Sequence, residues 1–349
     1  MPEIFYYKEL FQLESGKTLP GFNLAYTTLG VINKNKDNVV WVFHALTANS
    51  NAAEWWPGLI GNGQLFNPAE HFIICVNMPG SCYGSTSPLD DDTCYHNFSF
   101  FTIKDMVAAY QKLKYFLGIN KIHVGIGGSM GGQQLLEWAV TEPDLFNHII
   151  PIATNAAHSA WGIAFNAAQR ICIEADRTWK EKNEHAGING MKAARSIALL
   201  SYRNYETYKL AQSENDNIAF DNFKSESYQR YQGEKLAKRF NAFSYYFLSK
   251  GMDSHNIGRG RTSLPAALNS IKAKALVIGI SSDILFPPAE QEFIATQIPG
   301  AELKVIDSTY GHDGFLLEFS QIENSITNFF KKNGIKKVPP YQINNHVNK

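Results

Sequence analysis

No stretch of the 349 residues approaches the ~18–20 consecutive apolar side chains that a membrane-spanning helix needs. Charge of one sign is also missing. Lys+Arg number 32 and Asp+Glu 32, which leaves no net field to gather nucleic acid, an anionic membrane or an acidic partner. The opening residues Met1-Pro2-Glu3-Ile4-Phe5 lack the basic segment and apolar core of a secretory leader. Only four cysteines occur, Cys75, Cys82, Cys94 and Cys172, and none forms a C-x-x-C pair. Reduced thiols in a cytoplasmic protein are therefore expected, not a disulfide framework. No two histidines are spaced as ligands near a third candidate, so no metal is expected. Internal repeats and low-complexity tracts are absent too. What remains is a globular composition, 44% hydrophobic and 18% charged with a high aromatic share of 13%. The length suits one large α/β domain with an insertion, or two domains.

Short apolar runs of strand length recur along the chain. Phe5 to Gly30 alternates and turns like a strand pair. Val39–Phe43 and Phe72–Val76 are continuous apolar runs, suited to strands buried on both faces. Helical spacing covers Ile103–Phe116, with Gly118 as the stop. Further strands are expected at Ile122–Ile126, His148–Ala153, Ala275–Ile280 and Glu302–Ile306, and a last amphipathic helix over Ile322–Phe330. Between about Asn155 and Ala266 there is no convincing strand. The segments Ala160–Glu174, Met191–Tyr202 and Tyr228–Leu248 instead read as helical. Strands alternating with helices on both sides of a helical insert predict an α/β fold, a mostly parallel central sheet with helices on both faces. The expected division is a core of residues 1–154 and 267–332, a helical lid of 155–266, and a polar tail of 333–349. A lid at that place roofs the carboxyl ends of the strands, where open α/β sheets bind ligands.

The stretch that carries chemistry is Gly127-Gly128-Ser129-Met130-Gly131, a G-x-S-x-G with a strand before it and a helical pattern after it. That context demands a turn sharp enough to strain its central residue and expose the Ser129 hydroxyl. A dinucleotide fingerprint begun at Gly125 fails, because Met130 falls at its third glycine. A serine hydroxyl needs a base, and the base needs an orienting group, in the chain order Ser, Asp or Glu, His. Asp283 follows the strand Ala275–Ile280 and His312 follows Glu302–Ile306, each just past a carboxyl end. The oxyanion donors expected are the backbone N–H of Met130 and one from the turn after Val39–Phe43, most simply Leu46 with Thr47 beside it. These residues point to a serine-nucleophile acyl-transfer enzyme without choosing between water and another acceptor.

Several longer motifs are more specific. They are His44-Ala45-Leu46-Thr47, Gly80-Ser81-Cys82-Tyr83-Gly84-Ser85-Thr86, Gly127 to Gln133, Tyr202-Arg203, Arg239-Phe240, Met252-Asp253-Ser254-His255, Ser282 to Pro288 and Gly311 to Leu316. Together they resemble the homoserine O-acetyltransferase family, from about Phe11 to Phe330. The resemblance implies an α/β-hydrolase fold with a helical lid, paired through that lid as a homodimer. It implies transfer of an acetyl group from acetyl-CoA to the hydroxyl of L-homoserine in methionine biosynthesis, with no bound cofactor. By the same resemblance Ser129 is the acylated nucleophile, His312 the base and Asp283 its orienter. Arg203 would bind the substrate carboxylate and Asp313 the amino group, and Thr47 would line the same pocket. Ala48, Ser81 and Ser87 depart from the family pattern, and all three are expected near the pocket. They leave open a succinyl donor or a serine acceptor, and an esterase of the same fold is a separate alternative.

Overall fold

A computed structural model describes residues 2–91 and 94–334. Most of the tail expected over 333–349 lies outside the described residues. The strands are β1 (Glu3–Tyr7), β2 (Phe11–Gln12), β3 (Thr18–Leu19), β4 (Phe22–Leu29), β5 (Val39–Phe43), β6 (Phe72–Val76), β7 (Ile122–Gly128), β8 (Phe146–Ile152), β9 (Lys274–Ile280) and β10 (Glu302–Ile306). Eight of them form one sheet in the order β1-β4-β6-β5-β7-β8-β9-β10, parallel from β6 to β10. β4 runs antiparallel to both of its neighbours. The apolar runs at β5 and β6 are buried at every position, as central strands covered on both faces must be. β10 at the edge buries only Ile306. The stretch expected as one strand pair holds β1 and β4, with the small β2–β3 ladder between them.

The helices are α1 (Ala52–Trp55), α2 (Ile103–Phe116), α3 (Met130–Thr141), α4 (Ala160–Glu174), α5 (Ile188–Tyr202), α6 (Tyr205–Gln212), α7 (Lys224–Ala237), α8 (Ala242–Asp253), α9 (Leu264–Asn269), α10 (Pro288–Gln297) and α11 (Phe319–Lys332). α2 starts on a capping box. Thr102 Oγ1 accepts from the Asp105 N–H, and the Asp105 carboxylate accepts from the Thr102 N–H. α2 and α3 pack one sheet face around Trp41, Tyr110 and Trp138, with Trp41 and Trp138 edge to face at 4.8 Å. The opposite face packs Val40, Val42, Ile126 and Ile278 against Trp56 and against Ile322, Ile326 and Phe329 of α11.

Helices α4 to α9 lie between β8 and β9, where no named strand intervenes. The segment Tyr228–Leu248, read as a single helical stretch, is broken between α7 and α8. Asn241 causes the break. Its side chain accepts from the Ser244 N–H, the bond of an N-cap, while Phe240 beside it is buried. Ser129, Leu46, Asp283 and His312 all follow the carboxyl ends of parallel strands, so the sheet itself gathers them at one rim. No helix among the described residues is long and apolar enough to cross a membrane.

Candidate active site

β7 ends at Gly128 and α3 begins at Met130, which leaves a single residue to turn strand into helix. Ser129 makes that turn at φ 58° and ψ −129°, a conformation that costs an L-residue ~1–3 kcal/mol. Three bonds hold it there. The Ser129 N–H donates to Ile152 O at 3.0 Å, and its carbonyl accepts from Gln133 N at 3.2 Å and Thr154 Oγ1 at 2.8 Å. Glycine is required around it by close approach. A Cβ on Gly131 would stand 2.2 Å from Phe43 O, and one on Gly128 would stand 2.4 Å from the Phe315 ring.

His312 sits in the short 3₁₀ turn Gly311–Leu316, with Nε2 2.8 Å from Ser129 Oγ and Nδ1 2.7 Å from Asp283 Oδ2. Asp283 Oδ1 is already occupied, because it accepts the N–H groups of Leu285 at 2.8 Å and Phe286 at 2.9 Å. An ionised carboxylate has no proton to give, so His312 carries its hydrogen on Nδ1 and turns the Nε2 lone pair toward the serine. All three side chains are buried. Rings of Phe286 and Phe315 wall the imidazole at 5.0 and 5.3 Å. Ser282 Oγ joins the aspartate and histidine loops by donating to Ser308 O and accepting from Gly311 N.

The turn after β5 is closed by the Ala48 N–H donating to Ala45 O at 3.0 Å. That bond leaves the N–H groups of its central residues, Leu46 and Thr47, outside the turn. His44 anchors it from below. Its Nδ1 lies 2.8 Å from Ala45 O, and its Nε2 accepts from Met78 N at 3.1 Å. Both nitrogens are thus committed in the neutral ring, and burial pushes the His44 pKa down to about 4. Met130, as the first residue of α3, has an N–H without an intrahelical acceptor at the positive end of the helix dipole.

A cavity of about 320 Å³ opens over Ser129 and His312, with Leu46, Thr47, Ala48 and Asp313 on its core side. The helical insert supplies Arg195, Tyr202 and Arg239. Arg203 is not among the side chains lining this cavity. Its Nε lies 3.0 Å from Asp313 Oδ2, an ion pair in which the N–H is not aligned on the oxygen. The reason is helical phase. Arg195 and Tyr202 are seven residues apart on one face of α5, whereas Arg203 is the C-cap, turned to extended backbone. The Arg195 guanidinium stacks 5.5 Å from the Tyr202 ring, which in turn lies 5.8 Å from His312. That i, i+7 pairing of Arg195 with Tyr202 was present in the sequence as a signal. Burial pushes the Asp313 carboxyl above its ordinary 3.8, against the opposing pull of Arg203 and Arg195.

A family model described as alpha/beta hydrolase fold matches residues 38–319. A homoserine O-acetyltransferase of Cyclobacterium marinum is 48% identical over 95% of this chain and 95% of its own length. The chain belongs to the homoserine O-acetyltransferase family. The solved homoserine O-acetyltransferase of Staphylococcus aureus superposes with a TM-score of 0.81 at 27% identity, covering 97% of this chain and 98% of the other. An acetylester hydrolase of Corynebacterium glutamicum shares the fold with a TM-score of 0.84 at 25% identity, over 95% and 96% of the two chains. The α/β-hydrolase fold expected from the motifs is thus the fold of this homoserine O-acetyltransferase family member.

Of the three departures from the family pattern, only Ala48 lines the cavity. Ser81 is fully buried, with its N–H donated to Met78 O and its Oγ accepting from the Tyr83 N–H. Ser87 caps its own turn, the Oγ 2.8 Å and the N 2.9 Å from the two oxygens of Asp90. Both hydroxyls serve local turns, as serines in irregular loops commonly do.

Two further buried histidines, His158 and His255, joined by the His158 N–H donating to His255 O, share the behaviour of His44. Burial lowers the His158 pKa to about 4 and the His255 pKa to about 3, from an ordinary 6.5. In each case the unfolded chain takes up a proton that the folded chain refuses. The contribution of these histidines to stability is therefore constant above pH 6.5 and falls as pH drops from 6.5 toward 4, by up to about 1.4 kcal/mol per pH unit for each. Urea unfolding across that range is expected to show the midpoint dropping steadily. A constant midpoint between pH 7 and 5 would contradict this assignment.

Proposed function

We propose that this protein transfers an acetyl group from acetyl-CoA to the hydroxyl of L-homoserine, as a cytoplasmic enzyme of methionine biosynthesis, through an acyl-Ser129 intermediate. The observation that carries the reading is one cavity holding an activated serine, an arginine and a carboxylate. His312 takes the Ser129 proton as Oγ attacks the thioester carbonyl. The tetrahedral oxyanion is met by the N–H groups of Met130 and Leu46, and collapse expels the CoA thiol with the proton from His312. The amino-acid acceptor then enters. Arg195 grips its carboxylate with a planar fork of donors, Asp313 receives its ammonium, and Thr47 lines the pocket beside them. His312 removes the hydroxyl proton, the new ester bond forms, and Ser129 Oγ leaves with that proton. Arg203 holds Asp313 in place through their ion pair, so it acts one step behind the acceptor site.

This assignment separates two arginines. Arg195→Ala is expected to raise the homoserine KM by ~10- to 100-fold, the worth of a charge-assisted contact, with acylation by acetyl-CoA nearly unchanged. Arg203→Ala is expected to have the smaller effect. Steady-state kinetics with homoserine varied would contradict the assignment if the order were reversed.

Acetyl-CoA and succinyl-CoA, each offered with L-homoserine and with L-serine, provide the test, with free thiol followed. The expected result is thiol release that depends on homoserine with the acetyl donor. If neither donor gives acceptor-dependent thiol, the acyltransferase reading fails. The likeness to an acetylester hydrolase favours one alternative, an esterase of the same fold. It predicts hydrolysis of simple esters without an acceptor and no loss in Arg195→Ala.

We further propose a homodimer formed through the helical insert. Leu210, Ile218 and Phe220 there are 77%, 80% and 92% exposed. Apolar side chains so exposed on one region fit an interface better than solvent. Light scattering is expected to give twice the 39.1 kDa of one chain, and half that value for Phe220→Asp. A monomeric wild-type protein would contradict it.

A further inference from the structure

The connection between α7 and α8 reaches from the helical insert to the core at the mouth of the Ser129 cavity. Arg239 Nη1 donates to Thr47 O at 2.5 Å and to the Tyr83 hydroxyl at 2.7 Å. Those acceptors belong to two different core loops, one after β5 and one after β6. The neighbouring Phe240 is buried, and its ring meets the Tyr83 ring edge to face at 5.7 Å. Cys82 Sγ is 3.6 Å from the Arg239 carbonyl. One side chain thus fastens the roof to two core loops, and Arg239 and Thr47, the latter on the loop after β5, themselves line the cavity.

We propose that Arg239 is a positioning residue that closes the cavity mouth and thereby sets the ratio of acyl transfer to acyl-enzyme hydrolysis. The inference rests on the acyltransferase reading above. The acyl-Ser129 ester has two competing fates. In transfer, the acceptor hydroxyl adds to the acyl carbon, His312 takes its proton, and Ser129 Oγ departs and is reprotonated. In hydrolysis, water follows the same course and yields the free acid and Ser129. The catalytic groups are common to both, so nothing in the Ser129–His312–Asp283 set discriminates between them. Access of bulk water does discriminate, and it depends on how tightly the insert is held on the core. Both bonds of the latch originate on one nitrogen, so an ammonium in the same place can reproduce them.

The experiment uses the full chain with acetyl-CoA, measuring thiol release without acceptor and ester formation with L-homoserine, for wild type, Arg239→Ala, Arg239→Lys and Tyr83→Phe. Arg239→Ala is expected to raise the ratio of hydrolysis to transfer by about tenfold, the scale of one charge-assisted hydrogen bond. Arg239→Lys is expected to restore most of the wild-type ratio, and Tyr83→Phe to show a smaller rise. A variant that is simply less stable loses both rates together and leaves the ratio where it was. If wild type transfers to homoserine and the Arg239→Ala ratio is unchanged, or Arg239→Lys behaves as Arg239→Ala, the latch is overturned and the acyltransferase reading stands. If wild type shows no homoserine-dependent thiol release, both fall.

Discussion

Ser129→Ala is expected to lower acyl-transfer turnover by ~10⁴–10⁶-fold, on the scale set by removing a serine nucleophile elsewhere. The hydroxyl is the atom that becomes acylated, and no second nucleophile within the Ser129–His312–Asp283 chain can replace it. The fold should survive the change. Ser129 is held by backbone bonds to Ile152, Gln133 and Thr154, and alanine keeps all of them at a similar cost in φ. The only side-chain bond lost is the one to His312. Thiol release should therefore collapse while the urea midpoint stays near that of wild type. A variant that retained turnover within tenfold of wild type would mean that the nucleophile lies elsewhere.

Asp283→Asn is expected to cost ~10⁴-fold in turnover with little change in acceptor KM. The bonds to Asp283 give a geometric reason. Its Oδ1 accepts from two backbone N–H groups, at Leu285 and Phe286. An asparagine there keeps its carbonyl oxygen on those donors, because its amide nitrogen cannot accept from them. The NH₂ group must then face His312 Nδ1 and donate to it. The imidazole is driven to the tautomer with hydrogen on Nε2, which points a donor at Ser129 and removes the base. Asp283→Ala leaves the tautomer free and should cost less than the asparagine variant, since it does not impose the wrong one. Single-turnover acylation by acetyl-CoA measures both. Equal rates for wild type and Asp283→Asn would contradict the role given to Asp283.

The elbow was legible in the sequence because its requirement is local. Glycines at 128 and 131 are dictated by atoms 2.2–2.4 Å from where a Cβ would stand, and that need shows as letters in the chain. Asp283 and His312 were legible for a related reason, since each follows the carboxyl end of a parallel strand and parallel strands bring those ends to one rim. Arg195 and Arg203 were a different matter. Both lie on or at the end of α5, and the choice between them depends on which face of that helix meets the core. Ser81 and Ser87 were expected near the pocket and do not line it, because an irregular loop has no period from which to read direction. The break at Asn241 was not legible, since the apolar pattern of Tyr228–Leu248 runs across it. Its consequence is functional, because that break presents Arg239 to Thr47 and Tyr83.

In the proposed reaction Ser129 carries the acyl group between donor and acceptor. Intact-protein mass spectrometry after mixing with acetyl-CoA alone tests it most directly. The expected result is a mass increase of one acetyl group, located on the peptide containing Ser129, that disappears when L-homoserine is added and O-acetylhomoserine forms. An unmodified chain, or an adduct on another residue that homoserine does not discharge, would contradict it.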